Sequence, residues 1–288
     1  MEQKRKKKLI AHMCHHKCGT HAIYHVLRDI CKEFGWNFQY CPQHKLRDDT
    51  DIWVENHSHI DFSKLANKEI IGSHMVRHPA SIIYSASKYH KKTNEPWCRK
   101  KVKELEGMSY QDILNGLSEE KSILFEMKNE VFLESSRRTI RDMYAWDYDK
   151  PNFLEIRFED LMSNFDEILR NMFKFYGFTR SQIIKGLEIA QQHKLENIDK
   201  VELNREVHIT NKDLNFEEWR NVFYNNHKLL KGFKKSYPKE IFKKIGYCED
   251  KDFINRLEEI DGEWCTMKEY MRKDLVQKNY NQFVKYTS

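Results

Sequence analysis

The sequence predicts a single α/β domain, a central parallel sheet flanked by helices, with a tight glycine-containing loop directly after the first strand. Three observations carry this reading. Short strand-like apolar runs alternate with helical spacings between residues 9 and 90 and again between 153 and 177. The first run passes through a polar loop holding a lysine and a glycine, and then into a helix. No internal repeat and no Pro- or Ser-rich linker divides the 288 residues, a length that suits one large α/β domain.

Taken in order, Lys7 to Cys14 reads as a buried first strand, and His15 to Thr20 as the loop after it. Ile23, Val26, Leu27, Ile30 and Phe34 recur at helical spacing, and Gly35 supplies a stop. Trp36, Phe38 and Tyr40 alternate as a second strand would, and Ile52-Trp53-Val54 gives a third. Ile70 to Val76 forms the next strand, ending at Arg77-His78-Pro79 before the helical pattern Ile82, Ile83, Ala86, Tyr89. Residues 105–117 and 119–146 read as two or three helices outside the sheet. Phe153 to Ile156 returns to strand character. Ser163-Asn164-Phe165-Asp166 resembles a capping box opening a helix that Gly177 ends. From 181 to 288 the pattern is helical with polar loops.

Composition narrows the class. With 40% apolar and 13% aromatic residues, 10 Gly and 5 Pro, the chain can bury a core, which excludes disorder or low complexity as its main description. No run approaches the roughly 20 apolar residues of a membrane helix. Five basic residues and one acidic within residues 1–8 carry +4 of the formal +6, leaving +2 for the rest. The basic start therefore reads as a solubilising tail, and a nucleic-acid role is not expected. Because Leu9-Ile10-Ala11 gives way at once to His12, a secretory signal is not expected either. The seven cysteines are odd in number and irregularly spaced, as reduced thiols in a cytoplasmic protein would be.

The chemistry concentrates at His15-His16-Lys17-Cys18-Gly19-Thr20-His21. A loop between a strand and a helix N-terminus presents backbone N–H groups and the positive end of a helix dipole, a cradle for phosphate or sulfate. Lys17 adds a cation, Gly19 lets the backbone approach, and Thr20 adds a hydroxyl. The nucleoside-triphosphate pattern GxxxxGK[ST] is absent. An ordinary turn has the same look when the loop is taken alone. Further along, Arg77 stands at a strand end with Ser85 eight residues later, a planar fork and a hydroxyl suited to a second phosphate. Phe158-Glu159-Asp160-Leu161 and Trp219-Arg220-Asn221-Val222-Phe223 complete an ordered set. The competing reading is a metal site, since His12, Cys14, His15, His16, Cys18, His21 and His25 crowd one segment. Strand alternation turns His15 and His16 apart, and no distant Cys/His pair completes a zinc spacing, so no metal is expected.

In this order the segments resemble the sulfotransferases that use 3′-phosphoadenosine 5′-phosphosulfate (PAPS), over about residues 8–247. The resemblance implies a single α/β domain of the P-loop-like sulfotransferase fold at 9–248, after a basic tail at 1–8 and before a helical extension at 249–288. It implies that Lys17 bridges the leaving phosphate and the sulfuryl group, that Cys18, Gly19, Thr20 and His21 line the loop, and that Arg77 and Ser85 bind the 3′-phosphate. Lys212 stands where the family has a further phosphate clasp. Three places depart from the family pattern: Ala22 replaces a loop aromatic, Phe158 replaces a tyrosine, and Asn211-Lys212-Asp213-Leu214 stands where the family has an Arg-Lys-Gly clasp. For the general base the resemblance points to the stretch Glu55-Asn56-His57-Ser58-His59, with His59 the best match, His57 a close rival and Glu55 open. The implied activity is sulfuryl transfer from PAPS to a hydroxyl or amine of a small molecule, with the helices of 91–147 as acceptor wall. The alternatives are a non-catalytic protein that holds an anion or nucleic acid, or a soluble carbohydrate sulfotransferase. Sequence leaves the oligomeric state open.

Overall fold

Five parallel strands order the first part of the molecule, and their polarity decides where any site can form. The computed structural model describes residues 7–199 and 215–271, and these group into two compact units. Among the described residues the first comprises 7–77 and 146–199 and contains the sheet; the second comprises 78–145 and 215–271.

In the first unit the strands are β1 (Lys7–Met13), β2 (Phe38–Tyr40), β3 (Ile52–Glu55), β4 (Lys68–Val76) and β5 (Phe153–Arg157). They lie in the order β2-β3-β1-β4-β5, and every adjacent pair is parallel. Helix α1 (Thr20–Phe34) carries the chain from β1 toward β2, while the connection after β3 returns past β1 to β4. The direction in which strands are added across the sheet therefore reverses between β1 and β4, and in open parallel sheets ligands bind outside the carboxyl ends of the strands at such a switch point.

Period-two alternation along β1 sorts its side chains to two cores. Ile10 and Cys14 join Ile23, Val26, Leu27 and Ile30 of α1 on one face. Leu9, Ala11 and Met13 join Trp53, Trp146 and Phe153 on the other. This two-sided burial explains the nearly continuous apolar runs of the strands. Gly35 closes α1 with φ 67°, the left-handed conformation read from the sequence as its stop.

One local expectation is corrected. Residues 163–166 do not form a capping box. A helix already runs from Phe158 to Ser163 directly off β5, so Ser163 is its last residue and its hydroxyl donates back to the Glu159 carbonyl. Asn164 then begins the helix Phe165–Phe175 without a side-chain cap.

The second unit is helical. It holds α2 (Pro79–Tyr89) and the helices Tyr110–Asn115, Glu119–Lys128 and Ser136–Ala145, in keeping with the expectation of helices outside the sheet. Among its buried polar groups one cluster is tightly paired. His90 meets Glu126 at 2.5 Å with both side chains fully buried, and Ser136 donates to the same carboxylate at 2.8 Å.

Candidate functional site

The loop between β1 and α1 is shaped by two left-handed residues. Lys17 has φ 62° and Gly19 φ 89°. The first is uncommon for a residue with a side chain, and a loop that holds one there is tightly determined by its surroundings. Internal hydrogen bonds do part of this work. Cys18 N–H donates to the His15 carbonyl at 3.0 Å, Thr20 Oγ1 donates to the same carbonyl at 3.3 Å, and Ala22 N–H donates to Gly19 at 3.1 Å. Gly19 is required on steric grounds as well. A Cβ there would stand 2.7 Å from Phe158 Cδ2 and 3.3 Å from Met75 Cε.

Gly19 is also the N-cap of α1, and no side chain caps the helix. The first turn of this 15-residue helix contains no acidic residue. Its N-terminal N–H groups and dipole therefore face the loop with no acidic residue of their own first turn beside them, which is the electrostatics of an anion site. Lys17, half-buried, supplies a full positive charge beside that end.

Arg77, at the end of β4, holds the loop from the neighbouring strand. Its Nη1 donates to the Lys17 carbonyl at 2.8 Å, and its guanidinium lies 4.2 Å from the centroid of the Phe158 ring. Phe158 thus has the guanidinium above it and Gly19 beside it, and its apolar ring suits both. Cys18 and Cys14 are fully buried, and burial pushes both thiols up, so neither is a thiolate at neutral pH. Cys14 Sγ lies 3.0 Å from Thr20 Oγ1, tying the strand end to the helix start.

The turn after β3 is built around Glu55. Its Oε2 accepts the main-chain N–H groups of His57 at 3.0 Å and His59 at 2.9 Å. Ser58, with φ 54°, donates its hydroxyl to the Cys14 carbonyl at 2.9 Å. Burial raises the Glu55 carboxyl above its ordinary range, and the two N–H donors act against that rise. Glu55 therefore organises the turn, while the His57 and His59 rings stack 5.7 Å apart, with His57 half-buried and His59 exposed.

The crowded histidines and cysteines near the loop are dispersed by the fold. His12 Nδ1 bonds Ser73 Oγ at 2.7 Å, Cys14 bonds Thr20, and His15 bonds His74. The structure thus brings Lys17, Cys18, Gly19, Thr20, His21 and Arg77 to one end of one sheet, with the His57–His59 turn joined to the end of β1 through Ser58. Ser85 lies in α2 of the second unit, 3% exposed. Lys212 lies outside the described residues.

Sequence reasoning missed His74, Glu155 and Trp146. His74 Nε2 lies 2.8 Å from His15 Nε2, and its Nδ1 lies 2.6 Å from Glu155 Oε2. Trp146 Nε1 donates to Glu155 Oε1 at 3.0 Å, and its ring stacks on His74 at 4.2 Å. A signal was present: His74 is a polar residue inside the apolar run of β4, close to its carboxyl end.

Fold and loop together define an α/β protein with a parallel sheet and a positively charged, glycine-bearing loop at the sheet's switch point. Among solved structures, the chain is similar to mouse sulfotransferase SULT7A1 complexed with PAP, with a TM-score of 0.50 and 17% identity over 88% of each chain. That likeness shows a shared fold. It is also aligned with retinol dehydratase in complex with androsterone and inactive cofactor PAP, at 11% identity over 96% of this chain and 80% of that one. At a TM-score of 0.38 this second match adds nothing to the fold assignment. No family model matches the sequence, and no curated protein matches it in sequence.

Proposed function

We propose that this chain is a PAPS-dependent sulfotransferase acting on a hydroxyl or amine of a small-molecule acceptor. One observation carries the reading: the β1–α1 loop joins an uncapped, acid-free helix N-terminus to Lys17, and Arg77 fixes that loop from β4. These features fit a phosphosulfate, which needs N–H donors and fixed positive charge. The fold shared with a sulfotransferase whose structure holds PAP supports the same choice of ligand.

When bound, PAPS supplies an activated sulfuryl group. The loop N–H groups and Lys17 would hold the phosphate and stabilise the charge that develops on it as the group departs. Cys18, Gly19, Thr20 and His21 shape that loop. Thr20's hydroxyl is engaged at the His15 carbonyl, so its contribution is to hold the loop closed. Arg77 and Ser85 are assigned to the second phosphate from the order of motifs. His59, exposed on the turn after β3, is assigned as the base, with His57 its rival; Glu55 is assigned to hold that turn. The helices of 91–147 are assigned as acceptor wall, the cytoplasm as compartment.

The test is transfer itself. Purified protein incubated with PAPS and a panel of phenols, alcohols and amines should give products heavier by one sulfuryl group, and Lys17→Ala should lower that rate about 10²-fold or more. A folded protein that binds PAP yet transfers to nothing would instead be a binding protein. One that neither binds nor transfers would end the assignment.

A further inference from the structure

The register of the sheet places three titratable side chains in a line across the carboxyl ends of β1, β4 and β5. His74 pairs with Met13 on one side and with Glu155 on the other, and His15 follows β1 by two residues. The contacts run His15 Nε2 to His74 Nε2 at 2.8 Å and His74 Nδ1 to Glu155 Oε2 at 2.6 Å. His15 and His74 are buried, at 1% and 0% exposure, whereas the Glu155 side chain is 32% exposed. The line thus starts inside the protein, next to Lys17, and ends in solvent.

Hydrogen-bond chemistry fixes the proton positions. A carboxylate can only accept, so His74 Nδ1 donates to Glu155. Neutral His74 then has a lone pair at Nε2, and the short contact with His15 requires His15 Nε2 to be the donor. His15 Nδ1 is left as an unprotonated lone pair. This atom is buried and has no hydrogen-bond partner. A buried acceptor left unsatisfied is costly, and one held beside a candidate anion loop needs a reason.

We propose that His15 is a second proton acceptor of this site, working beside the turn histidines, with His74 and Glu155 as the relay that delivers its proton to solvent. The proposal rests on the sulfotransferase reading. As the acceptor oxygen bonds to sulfur, the bond between sulfur and the donor phosphate oxygen breaks, and the phosphate keeps that electron pair. The acceptor's O–H bond breaks, and its proton goes to His15 Nδ1. The His15 Nε2 proton passes to His74 Nε2, and the His74 Nδ1 proton passes to Glu155 Oε2. One proton has then moved from the acceptor to a surface carboxylate, and both imidazoles are neutral again. Trp146 supports the outer end by donating to Glu155 and stacking on His74.

The surroundings keep both imidazoles in their neutral, proton-accepting form. Burial, followed by the nearby His74, His57 and His59, holds His15 well below the ordinary histidine value. Burial also lowers His74, and the Glu155 carboxylate opposes that shift. Two further ionisable side chains face the line: His12, which burial and His74 lower, and Tyr148, whose ring is edge-on to His74 and whose hydroxyl burial and Glu155 push up.

Two variants and one spectrum test this. His74→Asn retains an N–H for Glu155 and removes the nitrogen that meets His15; Glu155→Gln keeps the shape but cannot take the proton. Each should lower kcat at least about tenfold on a hydroxyl acceptor while leaving PAP affinity unchanged. Wild-type kcat in both folded variants would overturn the proposal. Independently of turnover, ¹⁵N spectra of histidine-labelled protein near pH 7 should show His15 protonated at Nε2 and bare at Nδ1. A proton on Nδ1 would overturn it. Should the wild type neither bind PAP nor transfer a sulfuryl group, the functional reading falls, and the spectrum alone decides whether His15 is the poised acceptor.

Discussion

Arg77 donates a hydrogen bond to the main-chain carbonyl of Lys17 at 2.8 Å, so the end of β4 holds the loop that follows β1. The two residues are adjacent only because β1 and β4 are sheet neighbours. Arg77 consequently does more than offer charge. Arg77→Ala should weaken PAP binding and also destabilise the fold, by about 1–3 kcal/mol for a buried charge-assisted bond. Arg77→Lys should recover little of either, because an ammonium cannot both reach the carbonyl and lie flat on Phe158. Calorimetric PAP titration together with urea unfolding checks this; full recovery by lysine would mean that charge alone matters.

Two glycines should respond differently to alanine. At Gly72 an added Cβ would stand 2.3 Å from the Ala11 carbonyl oxygen and 2.5 Å from Phe153 Cε1, and a strand backbone cannot yield. Gly72→Ala should therefore lower global stability by about 1–3 kcal/mol or more. At Gly19 the new Cβ would press on the Phe158 ring and force φ 89° on a residue with a side chain. Gly19→Ala should act chiefly on PAP affinity, with a smaller loss of stability. Thermal unfolding with and without PAP separates the two cases, and a Gly19 variant with normal affinity would contradict the site.

Acid should destabilise the protein through its buried imidazoles. Buried His12, mainly through desolvation and secondarily through His74, is lowered from 6.5 to about 3. Below about pH 6.5 the unfolded chain takes up a proton there that the folded chain refuses down to about pH 3, so stability falls across that window as pH falls. His15 and His74 are lowered too and act in the same direction. Urea midpoints should drop between about pH 7 and about pH 5, and His12→Asn, which keeps a polar atom facing Ser73, should flatten that drop. Equal midpoints for the wild type at both pH values would contradict the burial of these imidazoles.

Much of this was legible in local sequence. The strands, α1 with its Gly35 stop, and the loop around Lys17 are written in periodicity and turn chemistry over short windows. The helix at 158–163 was missed because β5 turns into it without a break, which left Ser163 to be read as a cap. The relay was missed for a different reason. His15, His74 and Glu155 meet only through strand order and register, which no local window contains. Glu55 was read as a candidate base, and only the fold reveals its carboxylate engaged with the N–H groups of His57 and His59.

The central claim is that the β1–α1 loop holds the donor through Lys17 and the helix N-terminus. Calorimetric titration of PAP into the wild-type protein and into Lys17→Ala tests it most directly, with circular dichroism to establish that both are folded. Saturable one-to-one binding is expected for the wild type, with affinity at least about tenfold weaker in the variant, as when a charge-assisted contact is lost. Equal affinity in the two proteins, or no binding by folded wild type at millimolar PAP, would contradict it.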